Sequence, residues 1–350
     1  MYYRMKLRLI VFFIFGIFTS CDNENIEQDV QPVTFRTDNI ITVTNLNPKT
    51  PKSPSARSPY NLLGYGYDVT GQFGDSSAAR HQVIDVVKFK EIEPTSVVIG
   101  RTNTSWFRSF ESENCEAFSK LMSTRTAATE GSKLFKGAIT SFFPDQDAFS
   151  AKYIYSTYIF TTHRKIVKMA TAPQFYHKYF TEAFRSDIQS KSPQDIVAKY
   201  GTHILTDILL GSKLVVMYQA ETDNSDRKKA ARLGLTAAMN NVFNLFTGDI
   251  DNKDATSATG NFSQKISFKS YGGDLRQISQ STYSGKNHPT VNISGWSQSL
   301  TTADEELVDF NSSSRDALLP LYEVIEDPIK KEEVKNYIQA YLEGEQVKIQ

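Results

Sequence analysis

Apolar and polar positions in this chain alternate in long runs, separated by polar or helix-patterned stretches. Val83 to Phe89, Thr95 to Phe110 and Tyr153 to Val167 are rich in β-branched and aromatic residues and read as strands. Phe262 to Lys269 alternates cleanly, with Phe262, Gln264, Ile266 and Phe268 set against Ser263, Lys265, Ser267 and Lys269. From His203 to Tyr218 the even positions carry Ile204, Thr206, Ile208, Leu210, Ser212, Leu214, Val216 and Tyr218, while His203, Asp207 and Lys213 stand on the other face. Unbroken, that run predicts a strand of roughly 50 Å, far beyond the usual length of about 5–6 residues. Pro173 to Lys199 has helical spacing, and Ser192-Pro193 suits a helix start. The predicted order is strand, insert (about Glu113 to Ala148), strand, helices, long strand, second insert, strand. That is an α+β pattern.

Within the second insert, Arg227 to Thr247 carries two periodicities at once. As a helix, Ala231, Leu235, Ala238, Val242 and Leu245 form one stripe, with Asp226 near its start and Gly248 as a stop. As a strand, Leu233, Leu235, Ala237, Met239, Phe243 and Leu245 point one way, and Arg232, Gly234, Thr236, Asn240 and Asn244 the other, with Asn241 and Val242 as exceptions. A segment with both patterns is suited to convert from a stored helix to a membrane strand, which needs only about 9–11 residues. The bland alternative is an Ala- and Leu-rich helix with chance period-2 matches. The return arm, Asp249 to Asn261, is polar, and Pro144 interrupts the pattern of Phe135, Ile139 and Phe143 in the first insert.

The beginning of the chain reads differently. Arg4, Lys6 and Arg8 precede an apolar core, Leu9 to Phe18, of signal-peptide length. Phe18-Thr19-Ser20-Cys21 then looks like a bacterial lipobox, which implies lipidation at Cys21 after removal of residues 1–20. The acidic residues after Cys21 resemble surface-export signals, so the expected location is the outer membrane or cell surface. Residues 21–58, with Pro48, Pro51 and Pro54 among polar neighbours, are expected to be a flexible tether. The folded domain is expected over 59–345, with 346–350 as a tail.

Charge excludes one class of partner. Lys plus Arg and Asp plus Glu each number 39, and no basic cluster marks a nucleic-acid footprint. Cys115 would be the lone thiol besides Cys21 and is most simply a small buried hydrophobe. The cluster Asp249, Asp251, Asn252 and Asp254 lacks the glycine and terminal Glu of an EF-hand and reads as a solvated turn. The five His show no metal spacing, and neither Gly-x-Ser-x-Gly nor His-Glu-x-x-His occurs. No catalytic residue, metal or cofactor is therefore expected, and His203 reads as structural.

Tyr200-Gly201-Thr202-His203, leading into the long strand, resembles the signature of the membrane attack complex/perforin (MACPF) family. Ile204 and Gly211-Ser212 stand where that family usually has an aromatic and a glycine pair. Ser192 to Lys199 resembles its preceding helix, Gly272-Gly273 its glycine pair after the fourth strand, and Trp296-Ser297 with Pro320 to Ile325 its closing segment. The similarity runs from about Leu62 to Leu342. It implies a bent, twisted four-stranded antiparallel sheet flanked by two helical clusters, with Gly272 and Gly273 as a hinge. It further implies self-association into rings or arcs on a lipid membrane, each cluster unravelling into an amphipathic hairpin. A pore-forming effector is the leading expectation, antibacterial or host-directed, with a surface receptor that is a lipid, glycan or outer-membrane protein. A non-lytic adhesin on the same scaffold is the alternative.

Overall fold

The computed structural model describes residues 41–48, 59–123, 135–245, 260–281, 289–300, 305–311 and 317–350. Cys21, its leader and the Asp249 to Asp254 cluster lie outside these residues.

In chain order, β1 (Thr42–Asn45) is followed by the small pair β2 (Tyr65–Tyr67) and β3 (Ala79–Gln82). Next comes α1 (Val86–Ile92), where a strand is predicted from composition. The Asp85 carboxylate accepts a hydrogen bond from the Lys88 amide at 3.0 Å, and this N-cap nucleates a helix over the β-branched run. β4 (Val97–Ser112) leads through α2 (Cys115–Ser123) and α3 (Lys136–Thr140) to β5 (Tyr153–Met169). A 3₁₀ stretch at Pro173–Tyr179 precedes α4 (Glu182–Ser190) and α5 (Pro193–Tyr200), capped by the hydroxyls of Thr181 and Ser192. β6 (His203–Leu205), β7 (Asp207–Thr222), α6 (Arg227–Asn241) and β8 (Asn261–Tyr271) follow. The chain continues through β9 (Ser279–Ser281), β10 (Thr290–Asn292), α7 (Ser294–Gln298), β11 (Glu306–Phe310), β12 (Leu318–Pro320) and α8 (Pro328–Gly344).

The single long strand predicted over His203 to Tyr218 is in fact two. β6 belongs to a small sheet ordered β12-β6-β2-β3, and β7 to the main sheet. At Thr206 the chain crosses between them: its amide donates to Ala317 O and its carbonyl accepts from the Met169 amide. The main sheet runs β1-β8-β7-β5-β4, with β11 also on β7. Its four long strands, β4, β5, β7 and β8, are antiparallel as expected.

Two expectations about the ends are corrected. Part of the predicted tether is a strand, because β1 pairs in parallel with β8, Thr42 opposite Lys265 through Asn45 opposite Phe268, and Ile41 is buried. Nor are residues 346–350 a loose tail. Val347 is buried, the Ile349 amide donates to Glu116 Oε1, and the Gln350 amide to Phe149 O.

Among the described residues three apolar cores result. The largest fills the space between the small sheet, α1, α4, α5 and α8. The other two lie on opposite faces of the main sheet. Leu214, Val216 and Tyr218 pack with α6 on one face, and Tyr155, Val215 and Met217 with α2 and α3 on the other. Cys115 belongs to the latter core, fully buried, with its thiol pushed up to about 11 by burial.

Candidate functional site

The signature residues act as a staple. Tyr200 is fully buried and its hydroxyl donates to Asp187 Oδ2 at 2.8 Å. Gly201 ends α5 at φ +78°, and a Cβ there would lie 2.6 Å from the Tyr67 backbone, so only glycine makes this turn. The Thr202 amide donates to Tyr67 O, and its carbonyl accepts from the Leu321 amide. His203 is buried, its Nδ1 lies 2.9 Å from Thr202 Oγ1, and desolvation lowers its pKa to about 4. This motif joins α5, β2 and β12 at the foot of the main sheet.

A bend follows immediately above. Register shifts in β4 (Arg101 to Thr104) and β5 (His163 to Lys165) fall beside each other, next to Gly211 on β7. Bulged strands bend and twist more strongly. There β7 also changes outer partner, from β11 at Ile208–Gly211 to β8 from Lys213 onward. Lys213, buried at this junction, donates to the carbonyls of Phe73, Gly74 and Val308 and lies 4.3 Å from the Tyr271 ring centre. Burial drives its ammonium down to about 8, against the pull of Asp75 and Asp309. Asp75 accepts from Lys269 and from the Tyr271 hydroxyl. Burial alone would raise its carboxyl, but Lys269, the Ser77 amide and Lys213 together hold it below the ordinary value. This polar knot was missed in sequence, where only Lys213 amid an apolar run hinted at it. Gly272 and Gly273 end β8 at φ +69° and +66°, and the Trp296 indole donates to Gly272 O at 2.8 Å.

Both inserts leave the same end of the sheet. Ser112, Tyr155, Gln219 and Lys265 form one row across β4, β5, β7 and β8, and each insert begins or ends within a few residues of that row. Arg227, the first residue of α6, joins the two. Its guanidinium donates to Glu113 O at one end of the first insert and to Ala151, Lys152 and Tyr153 carbonyls at the other, at 2.8–3.1 Å. No sequence signal marked this clasp.

The predicted helix over Arg227–Thr247 is shorter than expected and stops at Asn241, with Asn244 at φ +50°. The Val242 carbonyl accepts instead from the Val291 amide of β10. Leu233, Leu235, Ala237, Met239 and Phe243 are buried and Leu245 is half-buried. Gly234, on the supposed polar side of the strand reading, is buried as well. α6 lies across β4, β5 and β7, held also by Ser156 Oγ donating to Ala231 O and Asn261 Nδ2 to Ala230 O. Among the described residues no helix is long and apolar enough to cross a membrane.

The two edges of the sheet differ. β1 covers the outer side of β8, whereas β4 has no outer strand partner among the described residues. β4 exposes Val98, Ile99 and Phe107, the last 68% accessible.

A bent antiparallel sheet carrying two helical inserts at one end defines a perforin-like protein. The chain belongs to the MAC/Perforin domain family, whose model matches residues 55–348. It is similar in structure to a candidate cell invasion protein with a MAC/Perforin domain from Bacteroides thetaiotaomicron VPI-5482. That likeness has a TM-score of 0.63 and 17% identity over 88% of this chain and 64% of the other. GNIP1Aa from Chromobacterium piscinae is similar with a TM-score of 0.61 and 18% identity, over 82% of this chain and 56% of that one. The chain thus spans less than two thirds of the length of either. No curated protein matches it.

Proposed function

We propose that this protein assembles side by side on a target membrane and perforates it by unfolding its two inserts into β-hairpins. The observation that carries this reading is the shared end of the inserts. Stretched out, residues 113–152 and 223–260 would continue β4, β5, β7 and β8 in one direction as two adjacent hairpins. Each insert has about 40 residues, so each arm would reach about 60 Å, enough to cross a bilayer. The open edge of β4, with its exposed apolar residues, offers a surface for the next copy. Cys21, if lipidated, would hold the chain at the bacterial surface. An antibacterial or host-directed target and a lipid, glycan or protein receptor fit this reading equally.

A non-lytic adhesin on the same scaffold is favoured by one observation. Pro144 lies in the first insert and leaves a gap in any continuous hydrogen-bonded ladder there.

Dye release from liposomes, with electron microscopy of the same membranes, separates the two readings. A disulfide between cysteines introduced on facing positions of α6 and β5, which meet where Ser156 Oγ donates to Ala231 O at 2.9 Å, ties the insert to the sheet. Leakage and rings only after reduction support perforation; intact liposomes on every lipid composition tried, with the protein bound, support the adhesin.

A further inference from the structure

A cavity of about 570 Å³ lies between α2, α3, β11 and the face of the main sheet opposite α6. We propose that it binds a single-chain anionic amphiphile, the alkyl chain lying along the strands and the acidic head at Arg108. The proposal is independent of pore formation.

The length of the cavity suits an extended alkyl chain. Along β7 the wall runs from Leu209 to Met217, roughly 26 Å at 3.3 Å per residue. Phe118, Phe142, Ile159, Val215 and Met217 make the wall apolar.

The polar groups place the head. Lys213 also lines the cavity, but the Phe73, Gly74 and Val308 carbonyls accept its three N–H groups, leaving it no donor. His163 and Asp309 pair with each other at 3.2 Å. Arg108 differs. It stands on exposed β4 with its guanidinium 4.0 Å from the Trp106 ring centre, and no carboxylate among the described residues pairs with it. Thr161 sits directly across the ladder from Trp106, fully buried, and its hydroxyl has no hydrogen-bond partner among the described residues. The guanidinium beside the indole is therefore the exposed cation of this lining, set to meet an acidic head, with the Thr161 hydroxyl buried beneath it. Such a ligand would bridge the first insert to the sheet.

Equilibrium dialysis of the full chain with radiolabelled palmitate tests this, with hexadecanol as the uncharged probe of the same length. Saturable palmitate binding is expected, weakened about tenfold by Arg108→Gln, the worth of one charge-assisted contact, with hexadecanol changed less than about twofold. Ile159→Trp, which fills the wall, should abolish binding of both probes while circular dichroism stays unchanged. Absence of saturable palmitate binding overturns the proposal. So does an Arg108→Gln variant that weakens both probes equally or neither, and so does binding that survives Ile159→Trp, which would place the ligand elsewhere on the chain.

Discussion

Gly234 sets helix propensity against packing, and the structure says which wins. In a helix interior, alanine is favoured over glycine by about 0.8–1 kcal/mol. A Cβ on Gly234, however, would lie 2.4 Å from both Cζ and the hydroxyl oxygen of Tyr218. That ring cannot yield cheaply. Tyr218 is fully buried, its hydroxyl donates to Gln264 Oε1 at 2.8 Å, and it accepts from Asn261 Nδ2 at 3.1 Å. Overpacking of this kind costs about 1–3 kcal/mol, and loosening two buried hydrogen bonds adds about 1 kcal/mol each. Set against the propensity gain, Gly234→Ala should destabilise the protein by about 2–4 kcal/mol. Urea unfolding at unchanged slope measures this. In a Tyr218→Leu background the obstruction is gone, and the same change should become neutral or stabilising. If α6 leaves the sheet before insertion, Gly234→Ala also speeds dye release. A variant stabilised by about 1 kcal/mol in the wild-type background would refute the argument, because propensity would then outweigh a contact shown here as tight.

Ile41→Asp places a charge at a buried position and should detach β1, exposing the edge of β8; membrane assembly should then start sooner, and unchanged assembly with increased amide exchange in β8 would show that this edge is not used. Arg227→Ala removes four hydrogen bonds to the ends of the first insert and should lower stability by about 1 kcal/mol while shortening the lag before leakage, read by urea titration and dye release. Lys213 titrates near 8 when folded against its ordinary 10.5, so between those values the unfolded chain holds a proton that the folded chain has lost. The Lys213 contribution to stability therefore rises with pH across that window, by on the order of 3 kcal/mol, while the buried tyrosines, raised by burial, act oppositely near pH 10; the wild-type minus Lys213→Met difference in urea unfolding free energy isolates it.

Local chemistry made much of the scaffold legible, and distant partners hid the rest. β4 and β5 show in β-branched and aromatic content and β8 in clean alternation, and Tyr200 to His203 shows through its family resemblance, with Gly201 at a turn where a Cβ would meet the Tyr67 backbone. Thr206 looks like any β-branched strand residue. Its division of β6 from β7 depends on Ala317, more than a hundred positions away. β1 was hidden in the same way. Ile41-Thr42-Val43-Thr44 is a fair strand sequence, but its partner on β8 is far along the chain. Val83 to Phe89 misled through composition, since the deciding residue is the cap Asp85. The knot of Lys213, Asp75, Lys269 and Tyr271 draws on segments that no window spans.

The two ends of the molecule are held by different kinds of contact, and that difference bears on whether an insert can be released. Around the signature, the core is built from Phe89, Phe184, Tyr200, Leu321 and other large side chains. α6 meets the sheet largely through Ala230, Ala231, Ala238 and Gly234, with Leu235 and Met239 as the larger anchors. A buried methyl is worth about 0.8 kcal/mol, against about 1.5–3 kcal/mol for a Leu or Phe side chain. Close approach of the backbone makes the α6 interface tight without making it strong. It should open sub-globally well below the free energy of global unfolding. Native-state hydrogen exchange is the direct measure: α6 amides should exchange through an opening several kcal/mol smaller than that for α5 and β6. Equal protection across α5, β6 and α6 would mean that the insert is locked into the fold, and perforation by its release would have no physical route.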